Sequence, residues 1–138
     1  VDISGLGGTH WGRIEGARSP RNSVLERAAV TFQNWGSSTV ASMLAAHELD
    51  ADYAVWASGG VRSGLDAAKL FALGAEKVGL AQPILVAAMN GDEALDFELQ
   101  RLEFELKTAL FCTGCRSIDE LQERNAPLQE RRSKHYTL

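Results

Sequence analysis

The chain has 138 residues, 45% of them hydrophobic and 23% charged, with a net charge of −4. That is the size and make-up of one modest globular domain. The acidic balance carries no basic stripe for nucleic acid or an anionic membrane surface, and the longest apolar stretches are too short to span a bilayer.

The opening Val1-Asp2-Ile3-Ser4 reads as a strand already under way, with no initiator methionine, so the chain is expected to be a piece of a longer one. A glycine-rich loop follows, G-L-G-G-T-H-W-G-R-I-E-G-A-R-S-P-R-N, long enough to suggest either function or disorder. Trp11 beside His10 reads as a pocket wall or as plain packing, His10 is a weak candidate for a catalytic base, and Arg13, Glu15 and Arg18 read as a solvated cluster. Ser23 with Glu26 has the form of a capping box and starts a helix that Phe32 to Gly36 ends. Ser37-Ser38-Thr39 offers an N-cap for a helix running to Leu49.

Tyr53 to Ala57 is short and apolar, the pattern of a strand buried on both faces. Leu65 to Leu73 has a helical apolar side, with Gly74 just past its end, and Lys77 to Ala81 is the next strand. Pro83 opens a short turn or helix. Between Asp92 and Leu110 the leucines at 95, 99, 102, 106 and 110 recur at three- and four-residue steps, which predicts a helix with a core-facing stripe. Gly114 stops it, and Ser117 with Glu120 repeats the capping-box pattern. Residues 122–138 form a polar tail, expected to fray or to dock elsewhere.

Cys112 and Cys115 form a lone C-x-x-C. A zinc site wants four ligands, and the histidines at 10, 47 and 135 are scattered, so two reduced structural thiols are the expectation and no metal residue is assigned.

Strands that alternate with helices predict an α/β chain with a parallel sheet. Three parallel strands leave unpaired edges, whereas a closed (β/α)8 barrel needs eight strands and about 250 residues. The predicted fold is therefore the carboxyl-terminal portion of a (β/α)8 TIM barrel, with parallel strands and terminal helices. Residues 1–121 are the barrel part and residues 122–138 the tail.

Chemistry is concentrated at three strand ends. In A-S-G-G-V-R-S-G, glycines permit a sharp turn and close approach, backbone amides are expected to face outward at the start of the next helix, and Arg62 adds a full charge. The strand end at Ala81-Gln82 lies one helix later, in the position where such barrels often hold a phosphate. Ser4 to Thr9 follows a third strand, and its hydroxyls and amides suit a ring edge or a phosphate oxygen.

These stretches resemble a known family. V-D-I-S-G-L-G-G-T-H-W-x-R-I-E, F-Q-N-W-G-x-x-T, A-S-G-G-V-R-S-G-L-D-A-A-K and L-K-T-A-L-F-C-T-G-C together are similar to the carboxyl-terminal part of type 2 isopentenyl diphosphate isomerase, an FMN-dependent (β/α)8 barrel. The resemblance runs from Val1 to about Leu121 and covers the last third or so of the family's length. It implies interconversion of isopentenyl and dimethylallyl diphosphate with reduced FMN, Mg2+ and a reductant such as NADPH, in a cytoplasmic homo-oligomer. In that chemistry the protein mainly positions flavin and substrate. By motif, Ser4 and Thr9 would contact FMN, while Gly59, Gly60, Val61, Arg62, Ala81 and Gln82 would bind its phosphate.

The chain departs from the family in reading Ser37-Ser38-Thr39 where I-P-T is common, and the family's substrate-binding, Mg2+-binding and flavin-proximal residues all precede Val1. No catalytic residue is therefore assigned, and the piece alone is expected to be inactive. Two alternatives stand beside this reading. One is another FMN barrel, such as a 2-hydroxy-acid oxidase or a glutamate synthase; an oxidase would carry His-Gly-Gly where this chain has Leu6-Gly7-Gly8. The other is a non-catalytic partial barrel that binds FMN or serves assembly.

Overall fold

A computed structural model describes residues 1–49 and 52–133. Within them lie three strands, β1 (Asp2–Ile3), β2 (Trp56–Ala57) and β3 (Lys77–Val78), paired in parallel in chain order. Asp2 stands opposite Trp56 and Trp56 opposite Lys77; Ile3, Ala57 and Val78 form the next row. Amides beyond the formal strands lengthen the ladder: Ser58 donates to the Ile3 carbonyl, Glu76 to that of Val55 and Gly79 to that of Ala57, each at 2.8 Å.

The helices are α1 (Trp11–Arg18), α2 (Val24–Thr31), α3 (Thr39–Glu48), α4 (Gly64–Ala72), α5 (Gln82–Met89), α6 (Asp92–Thr113) and α7 (Ile118–Ser133). This is the arc of a (β/α) barrel, as the alternation of patterns predicts: parallel strands in sequence order with helices between them.

The row Ile3, Ala57, Val78 faces the helices. Met43 and Ala46 of α3, Leu70 of α4 and Val55, Ala57, Val61 and Ala75 close a core there, and Met43 is fully buried. Burying a side chain of that size stabilises by about 2 kcal/mol. The opposite row, Asp2, Trp56 and Lys77, is open: Trp56 is 45% exposed, with the Lys77 ammonium 4.8 Å above its ring. The strand at 53–57 is thus covered on one face among the described residues, not on both.

A second cluster joins α4, α6 and α7 through Ala68, Cys115 and Leu121, with Leu106 and Leu110 packed against it. The leucine stripe of α6 is only partly inward, since Leu99 is 48% exposed. Cys112 is exposed and Cys115 buried, both as free thiols.

One local expectation is corrected and another is narrowed. The long loop after β1 contains the helix α1, which carries little apolar patterning to announce it. It is held from outside: His10 Nδ1 accepts from the Arg13 amide at 3.1 Å, and the Arg13 side chain donates to the Gln33 carbonyl and to Asn34 Oδ1. At the other end the helix α7 runs through residue 122 without a break, and Gln122 Nε2 donates to the Ala75 carbonyl at 2.9 Å. The tail therefore docks at its start; residues 134–138, including His135, lie outside the described residues.

Helix starts are where sequence and structure agree best. The hydroxyls of Ser23, Ser38, Ser63 and Ser117 each accept from the amide three residues on, at 3.0 to 3.2 Å. Such caps are worth about 1 kcal/mol each.

Gly64 marks the tightest crossing. A β-carbon there would lie 2.3 Å from the Leu102 carbonyl oxygen and 2.5 Å from the Leu106 amide nitrogen, both backbone atoms of α6. Gly64→Ala is accordingly expected to cost about 2 kcal/mol by overpacking. Gly12→Ala, whose methyl meets only the movable His10 ring at 3.1 Å, should leave stability level or raise it. Paired thermal melts check this, and equal melting temperatures would contradict the packing argument.

Candidate functional site

The carboxyl ends of the three strands open onto one cleft of about 580 Å3, lined by Ser4, Gly7, Gly8 and Thr9 after β1, Ser58 to Arg62 after β2, and Gly79 to Gln82 after β3. The volume is in the range of small-molecule sites. All eight residues singled out in the sequence (Ser4, Thr9, Gly59, Gly60, Val61, Arg62, Ala81 and Gln82) line it, as does Trp11, which is 70% exposed. His10 lies outside it, with Nδ1 engaged in capping α1.

The loops after β1 and β2 meet backbone to backbone. Gly59 has φ +77, and a β-carbon on it would sit 2.0 Å from the Ser4 carbonyl oxygen and 2.7 Å from the Gly8 amide nitrogen. Only a residue without a side chain allows that approach. The contact is bolted by Thr39 at the start of α3, whose hydroxyl lies 2.9 Å from the Ser4 carbonyl and 3.0 Å from that of Gly59. One hydroxyl hydrogen is thus shared between two loops. The motif W-G-x-x-T contains this threonine, but sequence reasoning treated it only as part of a cap.

The amides of Gly59, Gly60 and Val61 have no acceptor among the described residues. Across the cleft, α5 starts at Gln82 with Ala81 as its N-cap and no side-chain cap; Pro83 has no amide hydrogen, so the Gln82 amide, at the cleft lining, is the open donor of this helix start among the described residues. Converging N–H groups and the positive end of a helix make an anion site. The Ser4 and Thr9 hydroxyls add polar atoms that have no partner among the described residues.

The start of α4, by contrast, is already occupied. The Gly64 amide donates to Glu105 Oε2 at 2.7 Å, and the Arg62 amide donates to Asp66 Oδ2 at 3.2 Å. The expectation of bare amides at this helix start is corrected: two carboxylates take them, and the open donors lie upstream at 59–61 and on α5. The Arg62 guanidinium turns back to donate to the Val61 carbonyl at 3.1 Å.

Behind the loop stands a charge network that the sequence did not announce. Arg101 binds Glu98 through two nitrogens at 3.0 and 2.6 Å, Glu105 at 2.5 Å and the Arg62 carbonyl at 3.0 Å. The hydrogen bonds from Arg101 hold the Glu98 carboxyl below its ordinary range and hold the guanidinium protonated still more firmly. For Asp66, partial burial pushes the carboxyl up, but hydrogen bonds from Ser63 and Arg62 and the Lys69 charge together leave it below its usual value. Its i+3 relation to Ser63 is the legible signal; the i,i+4 spacing of Arg101 and Glu105 marks their pairing, but their contacts with Arg62 and Gly64 depend on how α6 crosses α4.

Among the described residues no group of three or more His, Cys, Asp or Glu is placed to hold a metal ion, and no helix is long and apolar enough to cross a membrane.

Two outcomes follow from this geometry. Thr39→Val keeps the shape and removes the shared hydroxyl, which should cost about 1 to 2 kcal/mol in denaturant unfolding; unchanged stability would show that the loops hold without it. The lowered Asp66 carboxyl stabilises the fold above the unfolded carboxylate range near pH 4 and loses that contribution as pH falls through its folded value. Asp66→Asn should therefore flatten the stability profile between about pH 5 and pH 3, and an unchanged acid limb would refute the assignment.

The sequence pattern of the FMN-dependent dehydrogenase family matches residues 35–127. An isopentenyl-diphosphate delta-isomerase of Bdellovibrio bacteriovorus is 56% identical over 124 residues, which are 90% of this chain and 36% of that protein. The protein of the same name from Legionella pneumophila strain Corby is 52% identical over 127 residues, 92% of this chain and 37% of its own length. The one from Pyrobaculum aerophilum is 45% identical over 121 residues, 88% of this chain and 34% of its own length. The chain thus spans about a third of the length of the curated relatives it matches, and the resemblance read from the motifs is borne out by them.

Proposed function

The chain belongs to the FMN-dependent dehydrogenase family, and from that premise we propose that it is the carboxyl-terminal part, residues 1–121 with a polar tail at 122–138, of an FMN-dependent isomerase that interconverts isopentenyl and dimethylallyl diphosphate. One observation carries the proposal: the rim loops after three consecutive parallel strands converge on one cleft whose unpaired amides suit a phosphate.

The residues present fit the phosphate end of FMN. The amides of Gly59, Gly60 and Val61 would donate to it from one side, and the open start of α5 at Ala81 and Gln82 from the other. Arg62, whose side chain binds only its neighbour's carbonyl among the described residues, is placed to swing a full charge toward the same oxygens. Ser4 and Thr9, on the β1 loop, would meet the flavin further along. Bound in reduced form, FMN supplies the proton-transfer chemistry. The residues of this chain bind it, orient it and narrow the rim around it.

The reading carries Mg2+, a reductant such as NADPH, the isoprenoid diphosphate, a homo-oligomer and a cytoplasmic location with it. The Mg2+ ligands would then lie in the part of the protein that precedes Val1. An oxidase reading within the same family is disfavoured by Leu6 before Gly7-Gly8, where a catalytic histidine would stand.

The full-length protein loaded with reduced FMN should convert isopentenyl diphosphate to dimethylallyl diphosphate, and flavin-loaded protein without that activity would overturn the proposal. Within it, Gln82→Glu places a negative charge at the open start of α5. FMN affinity, followed by flavin fluorescence, should fall by about tenfold or more, equivalent to about 1.4 kcal/mol, without loss of melting temperature. Unchanged affinity would remove the α5 start from the phosphate site.

A further inference from the structure

The loop that would hold the phosphate is fixed from two sides. On the rim side Thr39 and the β1 loop hold Gly59. On the outer side α6 grips the loop's far end at three points: Arg101 Nη2 donates to the Arg62 carbonyl at 3.0 Å, Glu105 Oε2 accepts from the Gly64 amide at 2.7 Å, and the α6 backbone lies directly against Gly64. Arg101 and Glu105 are joined to each other, and Arg101 is itself locked by the fork it makes with Glu98. The three open amides of Gly59, Gly60 and Val61 therefore hang between two anchors that lie on different helices, α3 and α6.

The charges matter as much as the geometry. Glu98 and Glu105 place two carboxylates behind a site that is to receive an anion, and Arg101 bridges both. Without the guanidinium, Glu105 would remain at the start of α4 as an uncompensated negative charge beside that site. The Arg62 carbonyl would also lose its donor, freeing the peptide that orients the last residue of the loop.

Resting on the FMN reading above, we propose that Arg101 and Glu105 of α6 are positioning residues for the phosphate loop, setting the aim of the Gly59 to Arg62 backbone and neutralising the carboxylate behind it. They touch neither cofactor nor substrate and act through the loop.

The test compares FMN with riboflavin, which lacks the phosphate, as ligands of the full-length protein. Dissociation constants are measured by flavin fluorescence, alongside melting temperatures. Arg101→Gln should weaken FMN about tenfold, the lower end of what outer supporting groups cost a site, and leave riboflavin unchanged. Arg101→Lys, which keeps the positive charge, should recover part of the loss. Glu105→Gln, which keeps an acceptor for the Gly64 amide and removes the charge, should hold FMN affinity close to that of the parent. Equal weakening of both flavins by Arg101→Gln, or none, would overturn the proposal by showing a merely structural role or no role. If Arg101→Gln does not fold, the lysine variant is read by the same FMN-to-riboflavin ratio. A parent protein that binds riboflavin as tightly as FMN would sink the phosphate reading itself, and this proposal with it.

Discussion

The approach of Gly59 to the Ser4 carbonyl is the constraint on which the rest of the molecule turns. Two loops that begin more than fifty residues apart in sequence are brought to a distance that admits no β-carbon, and the Thr39 hydroxyl fastens both at once. That contact places the β1 and β2 loops side by side, and the parallel register carries the β3 loop to the same rim. The cleft results from this closure rather than from any one motif. Much of its polarity comes from backbone amides, which the turns at 59–61 leave without partners among the described residues.

Charge is distributed around this cleft with a consistent logic. The start of α4 is closed by Asp66 and Glu105, and Arg101 compensates the second of these from behind. The start of α5 is left open. Two neighbouring helices thus point their positive ends toward the same region, and only one is available to a ligand. An anion is directed to the side where α5 and the 59–61 turn face each other, which narrows the orientations a phosphorylated ligand can take.

Much of this was legible in the residues themselves. The serine caps at Ser23 and Ser117 form as their spacing requires, because a cap depends on atoms three residues apart and on little else, while Glu26 and Glu120 accept from the amides of Asn22 and Arg116, one residue before the cap. The rim residues were legible because parallel βα units put functional loops at strand ends, so chain order alone gathers Ser4, Gly59 and Ala81. What escaped was tertiary. The α1 helix owes its place to Arg13 reaching Gln33 and Asn34, and its own pattern is too polar to mark it. Gly64 reads in sequence as part of a phosphate loop, yet its smallness serves the crossing of α6. Arg101 and Glu105 look like ordinary i,i+4 partners on a solvated helix face until α4 is seen beneath them.

The glycine contact at the rim also bears on how such a sequence can change over time. A side chain at position 59 cannot be accommodated by a rotamer shift, because the obstructing atoms are backbone atoms of a different loop. Any substitution there needs a simultaneous remodelling of the segment after β1, and a lengthening of that segment needs a matching change at 59. The two loops are therefore expected to change only together. The segment before α3 belongs to the same joint, since the Ser37 carbonyl accepts from the Leu6 amide of the β1 loop at 2.7 Å, so a change in its backbone path would have to be matched on the β1 side as well.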